Sequence, residues 1–277
     1  MRAMLVSAII VAACFNQARV GWSMVKPFRD RVSSVEATAL DAAIEIARRD
    51  HAQARVVKLL VAGRIYWMKQ VPPSEEDLAK ALQSERDNLI AFREKGFPAP
   101  KVLHFETGRL VLADCGPDLR DVMIVRPEGC PEVIDAFHAA GQALGQLHSA
   151  GIALGRGRSK DMCWDGQAAH FIDLEQNPLE FDPVTTGAFN LRNFVLATLK
   201  YAYDHKADGF AASQAFLRGY AALETGATRE SLASARSWAR RRWWLACASI
   251  VYALLLDGNR NYRRAYGPAI QMLADRR

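Results

Sequence analysis

The sequence is poor in cysteine, glycine and proline, and each shortage excludes a class of protein. Its 277 residues include five cysteines, 18 glycines and 11 prolines, too few glycines and prolines for a fibrous or low-complexity chain. The cysteines are odd in number, scattered, and form no C-x-x-C pair. A disulfide framework and a thiolate zinc site are therefore disfavoured, and a reducing compartment is expected.

The composition is typical of a folded protein with more basic than acidic residues. Half of the residues are hydrophobic and 24% are charged, so the chain can bury a sizeable core and disorder is not expected. The length favours two lobes over one compact domain. The net charge of +6 predicts an anionic partner, and by itself leaves nucleotide, anionic lipid and nucleic acid open.

Two apolar segments raise the question of a membrane, and both are shorter than the about 20 residues that span a bilayer. Residues 4–14 end at Cys14 in a sequence that looks like a lipoprotein cleavage box. They are interpreted as a buried element, as translated sequence upstream of a start at Met24, or, less favoured, as an export signal.

The second apolar segment, residues 243–256, follows Arg240, Arg241 and Arg242 and begins with Trp243 and Trp244. A buried helix is one interpretation of this segment. Peripheral membrane contact is the other, because arginines beside paired tryptophans suit the headgroup region of a bilayer. The two interpretations are compatible if only the Arg/Trp end is exposed.

Local patterns predict an α+β protein, with strands and one helix followed by a mostly helical half. A helix is expected over residues 34–50, then a hairpin turning at Gly63, then a helix capped by Ser74 that runs to about Lys95. Two short strands, a helix over residues 131–149, a strand over residues 169–175 and helices from Asn190 onward complete the chain.

The residues that carry chemistry occur in a recognisable order. Lys69 ends a strand, Glu85 lies on the next helix, Asp114 and Cys115 follow another strand, and Asp173 comes after a strand-like Phe171-Ile172. With L-x-x-L-H-S-A-G at residues 144–151, this order resembles the protein-kinase-like fold over roughly residues 55–205. Within that fold it is similar to the bacterial lipopolysaccharide kinases, the Kdo kinase and core heptose kinase group.

The resemblance implies a two-lobed protein-kinase-like fold. A small antiparallel-sheet N-lobe with one key helix would occupy residues 34–115, after an extension at residues 1–33. A larger helical C-lobe would occupy residues 116–277, with a catalytic loop at residues 154–175. ATP and Mg²⁺ are the implied cofactors: Lys69 would bind the α/β-phosphates, Glu85 would hold Lys69, Asp114 and Cys115 would line the hinge, and Asp173 would bind metal.

The catalytic loop departs from the family pattern H-G-D-x-x-x-x-N. Arg156 stands where the pattern has its catalytic Asp, and Asp161 stands where it has the metal-binding Asn. A glycine-rich phosphate loop is also missing. Three interpretations remain open. Asp161 could serve as both metal ligand and base while Arg156, Arg158 and Lys160 clamp an anion; the chain could be a pseudokinase; or the basic loop could be a solvated turn and the resemblance misleading.

Two neighbouring residues have plainer interpretations. His148 is expected to pack and hydrogen-bond structurally rather than act as a base. Asp165 is expected in a β-turn, and is the fallback carboxylate if Asp161 has no role.

The function expected from the resemblance is phosphorylation of a hydroxyl on a membrane lipid or glycolipid, such as a lipopolysaccharide core sugar or a ceramide-type lipid. The protein would be cytoplasmic and peripheral at the inner membrane. A catalytically silent nucleotide-binding or scaffolding module is the alternative. Nucleic acid is not an expected partner, because the arginines are spread and no aromatic-basic platform stands out.

Overall fold

The computed structural model describes residues 34–72, 75–127, 129–176, 179–242 and 260–274. Several predicted features lie outside these ranges and are not described: the extension at residues 1–33 with Cys14 and Met24, the Ser74 cap, and the apolar segment with Trp243 and Trp244. No helix within the described ranges combines the length and apolar character needed to cross a lipid bilayer.

A four-stranded antiparallel sheet forms the first part of the described chain. Its strands are β1 (Val56–Val61), β2 (Arg64–Gln70), β3 (Val102–Glu106) and β4 (Arg109–Ala113), in the order β1-β2-β4-β3. The predicted hairpin turns at Ala62 and Gly63, which both adopt left-handed backbone angles. The register places Lys69 between Val56 of β1 and Leu110 of β4.

Helices cover the two faces of this sheet, because successive strand residues point to opposite sides. Helix α1 (Ser34–Asp50) packs Leu40 and Ile44 into a small core with Met68 of β2. Helix α2 (Glu76–Glu94) contributes Leu89 to the large core on the other face. Lys69 follows Met68, so its side chain is directed to the face that carries α2.

The rest of the described chain is mostly helical, as the sequence predicts. The helices are α3 (Leu119–Val125), α4 (Pro131–Ser149), α5 (Ala188–His205), α6 (Gly209–Ala221), α7 (Gly226–Arg241) and α8 (Arg260–Ala274). Helices α4 and α6 cross closely at two glycines. A Cβ atom on Gly141 would lie 2.0 Å from the carbonyl oxygen of Phe216, and one on Gly219 would lie 2.0 Å from that of His138.

Short elements between α4 and α5 carry the loop of interest. Strand β5 (Ile152–Ala153) pairs with β8 (Leu179–Glu180), and β6 (Met162–Trp164) pairs with β7 (Ala169–Phe171). A 3₁₀ turn (Ser159–Asp161) precedes β6, and a π-helical turn (Pro183–Gly187) precedes α5. The predicted strand over residues 169–175 is too long: β7 ends at Phe171, and Asp173 has a left-handed φ of 58°, which no strand accommodates.

The cysteine pattern disfavours a disulfide framework, yet two of the five cysteines do pair. Cys115 and Cys163, 48 residues apart, form a disulfide. Their segments meet because Trp164 N donates to the Pro117 carbonyl at 2.9 Å and Gly116 packs against the Trp164 backbone. A separation this long gives no spacing signal, and the pairing removes the support that the cysteine pattern lent to a reducing compartment.

The predicted α+β class is confirmed, with a small antiparallel sheet and many helices. One continuous core joins the sheet to the helical part. In this core Phe92 of α2 packs edge-on against Phe171 of β7, with ring centroids 5.7 Å apart. This packing holds α2 beside the segment that ends in Asp173.

Candidate functional site

Lys69 stands at the centre of a charged cluster drawn from three distant segments. Its Nζ lies 2.6 Å from Glu85 Oε1 on α2 and 2.5 Å from Asp173 Oδ1 after β7. The sequence predicts all three residues, and the structure brings them together. The ammonium therefore bridges the sheet, the helix and the loop.

Burial strengthens the attraction between the charged groups of this cluster. The Lys69 side chain is 14% exposed and that of Glu85 is fully buried. Burial alone would lower the pKa of Lys69, but attraction to Glu85 and Asp173 outweighs it and raises the pKa above its usual value. Lys69 therefore stays charged, while Glu85 Oε2 is buried without a hydrogen-bond partner among the described residues.

Helical spacing explains why Glu85, rather than another acid of the same helix, reaches Lys69. The buried residues of α2 are Leu82, Glu85, Leu89 and Phe92, which recur every three or four positions and so share one face. Glu75, Glu76 and Glu94 are exposed. Glu85 is thus the acidic residue that this face buries.

Asp173 reaches Lys69 through an unusual backbone conformation. Its φ of 58° lies in the left-handed region, which costs free energy for a residue other than glycine. Its side chain is 40% exposed. Ala62, Lys206 and Glu224 also have a positive φ, so the backbone conformation by itself assigns Asp173 no role.

Asp161 is held by a two-pronged ion pair with Arg158. Arg158 Nε donates to Oδ2 at 2.8 Å and Arg158 Nη2 donates to Oδ1 at 3.1 Å. Burial raises the pKa of Asp161 and the charge of Asp173 adds to that rise, whereas Arg158 opposes it. The two carboxylates are therefore close enough to repel one another.

Lys69, Asp161 and Asp173 line a cavity of about 220 Å³. Its lining contains five basic and three acidic residues: Arg55, Lys69, Arg156, Arg158, Lys160, Asp161, Asp173 and Glu175. Three of the cations are paired with the three acids. Within the described ranges Arg156 and Lys160 have no ion-pair partner, so the cavity carries surplus positive charge.

The sequence did not predict the roles of two residues in the cavity lining. Arg55, just before β1, pairs with Glu175 at 2.6 Å across the cavity. Gln176 accepts from Arg156 Nε and Nη2 at 3.3 Å when its amide is oriented to satisfy both. The one signal for Arg55 is that it is a basic residue directly before β1.

A buried polar network anchors the loop before Arg156. Asn190 accepts from Leu154 N at 2.9 Å and donates to Leu154 O at 2.8 Å. It also accepts from His148 Nε2 at 3.1 Å, and His148 Nδ1 accepts from the Tyr220 hydroxyl at 2.7 Å. The structural interpretation of His148 is confirmed, and burial lowers its pKa to about 4. Asn190 and Tyr220 gave no sequence signal, because both lie far along the chain.

Three other candidates lie away from the cavity lining. Asp114 accepts from Trp67 Nε1 at 2.6 Å, and the Cys115 sulfur is in the disulfide. Asp165 accepts from the backbone of Gln167 and Ala168 and pairs with His170, so its interpretation as a turn residue is confirmed. Of the predicted basic cluster, Arg240 and Arg241 end α7.

The donor set of the cavity suits a hard cation. Asp161 and Asp173 present carboxylate oxygens to one space, and Mg²⁺ is commonly held by one or two carboxylates together with phosphate and water oxygens. Within the described part of the chain no group of three or more metal-ligating side chains converges. These two carboxylates would hold Mg²⁺ together with phosphate and water oxygens only once Arg158 releases an oxygen of Asp161.

Comparisons with known proteins assign no function to the site. No family model matches the chain. It is 24% identical over 133 residues to an uncharacterized protein of Haemophilus influenzae (strain ATCC 51907 / DSM 11121 / KW20 / Rd), covering 45% of this chain and 54% of the other. The chain thus spans about half the length of the curated relative that it matches.

Proposed function

We propose that the chain has a two-lobed protein-kinase-like fold and is an ATP- and Mg²⁺-dependent phosphotransferase. The observation that carries the proposal is the placement of Lys69 between Glu85 and Asp173. Phosphoryl transfer in kinases requires a strand lysine paired with a helix glutamate and an aspartate that holds metal beside it.

The cavity lends electrostatic support to a phosphate-bearing ligand. Catalysis of phosphoryl transfer consists largely of positioning the phosphates and neutralising their charge. Lys69 would contact the α/β-phosphates, while Arg55 could supply charge that a glycine-rich loop supplies elsewhere with backbone groups. Asp161 and Asp173 would hold Mg²⁺, which when bound neutralises phosphate oxygens.

Asp161 would accept the proton of the acceptor hydroxyl. As the acceptor hydroxyl oxygen bonds to the γ-phosphorus, the bond from that phosphorus to the ADP oxygen breaks and the hydroxyl proton must leave. Burial raises the pKa of Asp161, which favours proton uptake by its carboxylate. Arg158 has to release one Asp161 oxygen for this role, because it engages both.

The acceptor that we propose is a hydroxyl of a membrane lipid or glycolipid, either a lipopolysaccharide core sugar or a ceramide-type lipid. Arg156 and Lys160, the cavity cations with no ion-pair partner in the described part of the chain, favour an anionic acceptor over a cationic one. The exposed Arg240 and Arg241 at the end of α7 favour peripheral contact with the cytoplasmic face of the inner membrane.

A catalytically silent module is the second candidate, and the catalytic loop is the observation that favours it. Arg156 replaces the usual base, and Arg158 occupies both oxygens of Asp161. A pseudokinase would keep the Lys69 cluster for nucleotide binding without transferring phosphate. ATP would then stabilise the protein with no product formed.

The test is transfer of labelled γ-phosphate from Mg-ATP to bacterial lipid and lipopolysaccharide extracts. We expect a labelled product whose formation falls at least about 100-fold in Asp173→Asn, since loss of a transition-state electrostatic contact typically costs that much. Solvent partition of the product separates a lipid from a core sugar.

Asp165→Asn is the matched control, because Asp165 lies eight residues before Asp173 and outside the cavity lining. Its activity should equal that of the wild type. A product that persists in Asp173→Asn would refute the proposed site. Absence of product together with ATP-dependent stabilisation would favour the pseudokinase, and absence of both would refute nucleotide binding.

A further inference from the structure

A basic surface lies on the helical part of the protein, formed by α5, α7 and α8, which pack against one another. Helices α5, α7 and α8 together contain nine lysines and arginines and two acids, Asp204 and Glu230. This excess of basic residues on three packed helices produces a positive local potential. This surface is not used by the proposed phosphotransfer.

Two arginines of this surface are held against one aromatic ring. The guanidinium carbon of Arg192 on α5 lies 4.5 Å from the ring centroid of Trp238, and that of Arg242 after α7 lies 4.9 Å from it. The Trp238 ring packs edge-on against Tyr266 of α8 at 6.2 Å. The indole therefore holds both cations in place through cation–π attraction.

The charges of these two guanidinium groups are not balanced by a nearby acid. Among the residues that the structure describes, no carboxylate forms an ion pair with Arg192 or Arg242. Burial lowers the pKa of Arg192, and the charge of Arg242 lowers it further. Two like charges fixed near one another and half removed from water are unfavourable, and a bound anion would relieve that repulsion.

We propose that Arg192 and Arg242, held on the Trp238 indole, form a binding site for a phosphate-type anion. Guanidinium groups bind phosphate through paired N–H donors in a planar fork. Phe189, 41% exposed with Arg192 5.9 Å from its ring, and Val184, 56% exposed, add apolar surface nearby. Such a combination suits a phosphate with acyl chains attached, or a free phosphate compound.

The site is separate from the Lys69 cavity. Asn190 and Arg192 are two residues apart on α5 and so point about 200° apart around the helix axis. Asn190 faces the loop before Arg156, which directs Arg192 to another side. The lipid version of the proposal rests on the peripheral membrane contact proposed above, whereas recognition of phosphate does not depend on phosphotransfer.

The first arm of the test is co-sedimentation of the full-length protein with phosphatidylglycerol–phosphatidylcholine vesicles. We expect Arg192→Gln and Arg242→Gln each to weaken binding about fivefold, the contribution of one basic residue at an anionic membrane surface. Arg229→Gln is the control: Arg229 is an exposed arginine beside Glu230, thirteen positions before Arg242 and so about 20 Å along α7. Its loss should change binding less than about twofold, because attraction to the membrane surface falls off within a Debye length.

The second arm measures the melting temperature with inorganic pyrophosphate. Stabilisation that is lost in Arg192→Gln and Arg242→Gln, without vesicle binding, would assign the site to a free phosphate compound. Absence of both vesicle and pyrophosphate binding, or equal weakening in all three variants, would overturn the proposal. If Arg192→Gln does not fold, Arg242→Gln decides the outcome, because Arg242 follows the last residue of α7.

Asp173→Asn separates this proposal from the proposed function. Vesicle binding should be unchanged in that variant even where phosphate transfer is lost. Conversely, transfer to a detergent-dispersed acceptor should survive in Arg242→Gln. Either proposal can therefore fail while the other stands.

Discussion

Lys69 and Glu85 form an ion pair in which the acid is fully buried and its second oxygen has no partner among the described residues. Strand β2 and helix α2 bring the two charged atoms within 2.6 Å. Such a pair stabilises the fold only while both residues are present, because removing one leaves the other charge buried without its partner. Its removal should affect folding as well as any chemistry in the cavity.

Glu85→Gln should lower the free energy of unfolding by about 2 kcal/mol or more, because it leaves the Lys69 charge with Asp173 alone. Urea denaturation measures the loss. Glu76→Gln on the same helix removes only an exposed pair with Lys80 and should cost less than about 0.5 kcal/mol. Equal losses in the two variants would contradict the importance of burial.

Lys69→Met should abolish stabilisation by ATP, since the cation proposed to contact the phosphates is gone. At ATP concentrations about ten times Kd, the wild type should gain about 1.4 kcal/mol, which a thermal melt detects. Lys58→Met, an exposed lysine of β1, should retain the gain. A full ATP shift in Lys69→Met would remove Lys69 from the site.

His148 should make folding stability depend on pH. Its pKa is lowered to about 4 in the folded protein and is about 6.5 when unfolded. Between pH 6.5 and 4 the unfolded state binds a proton at His148 that the folded state does not. The contribution of His148 to the free energy of unfolding is therefore complete above pH 6.5 and is lost as pH falls towards 4. The gap corresponds to about 3 kcal/mol.

Denaturation curves at pH 7, 5.5 and 4.5 test this dependence. His148→Gln removes the titrating group and should flatten the loss of stability across that range. His138→Gln, a half-buried position on the same helix, serves as the control and should keep the wild-type profile. A steep profile that persists in His148→Gln would place its origin elsewhere.

The Cys115–Cys163 disulfide should stabilise the protein by about 2–4 kcal/mol, because it closes a loop of 48 residues in the unfolded chain. Either Cys→Ser substitution, or a reductant, should lower the melting temperature. Cys130→Ser should not, since Cys130 is a free cysteine. In thiol titration under denaturing conditions without reductant, at least two of the five cysteines should stay unreactive; finding five reactive cysteines would disprove the bond.

Gly141→Ala should destabilise the crossing of α4 and α6 by about 1–3 kcal/mol, because the new methyl group meets the Phe216 carbonyl at 2.0 Å. Gly226→Ala is the matched control, since no described atom lies within 4 Å of the position that its Cβ would take. It should be neutral or stabilising by up to about 1 kcal/mol. Calorimetry distinguishes the two.

The sequence by itself determined the elements whose signals are local. Helix α4 spans Pro131–Ser149 as predicted, since its apolar residues recur with helical spacing and a proline and a glycine bracket it. The hairpin follows from the β-branched runs around Gly63. The position of Glu85 among several acids also follows from local periodicity, because one face of α2 must be buried.

Only the tertiary structure decided which distant groups meet. Cys115 forms a disulfide with Cys163, and Asn190 hydrogen-bonds to Leu154. Arg55 pairs with Glu175, 120 positions away. None of these pairs has a spacing pattern, because the fold of the segments between them sets their distance. Arg158 is also close to Asp161 in the sequence, but closeness alone does not make an ion pair. The fold buries Asp161, and an unpaired buried carboxylate would be costly, so Arg158 binds it.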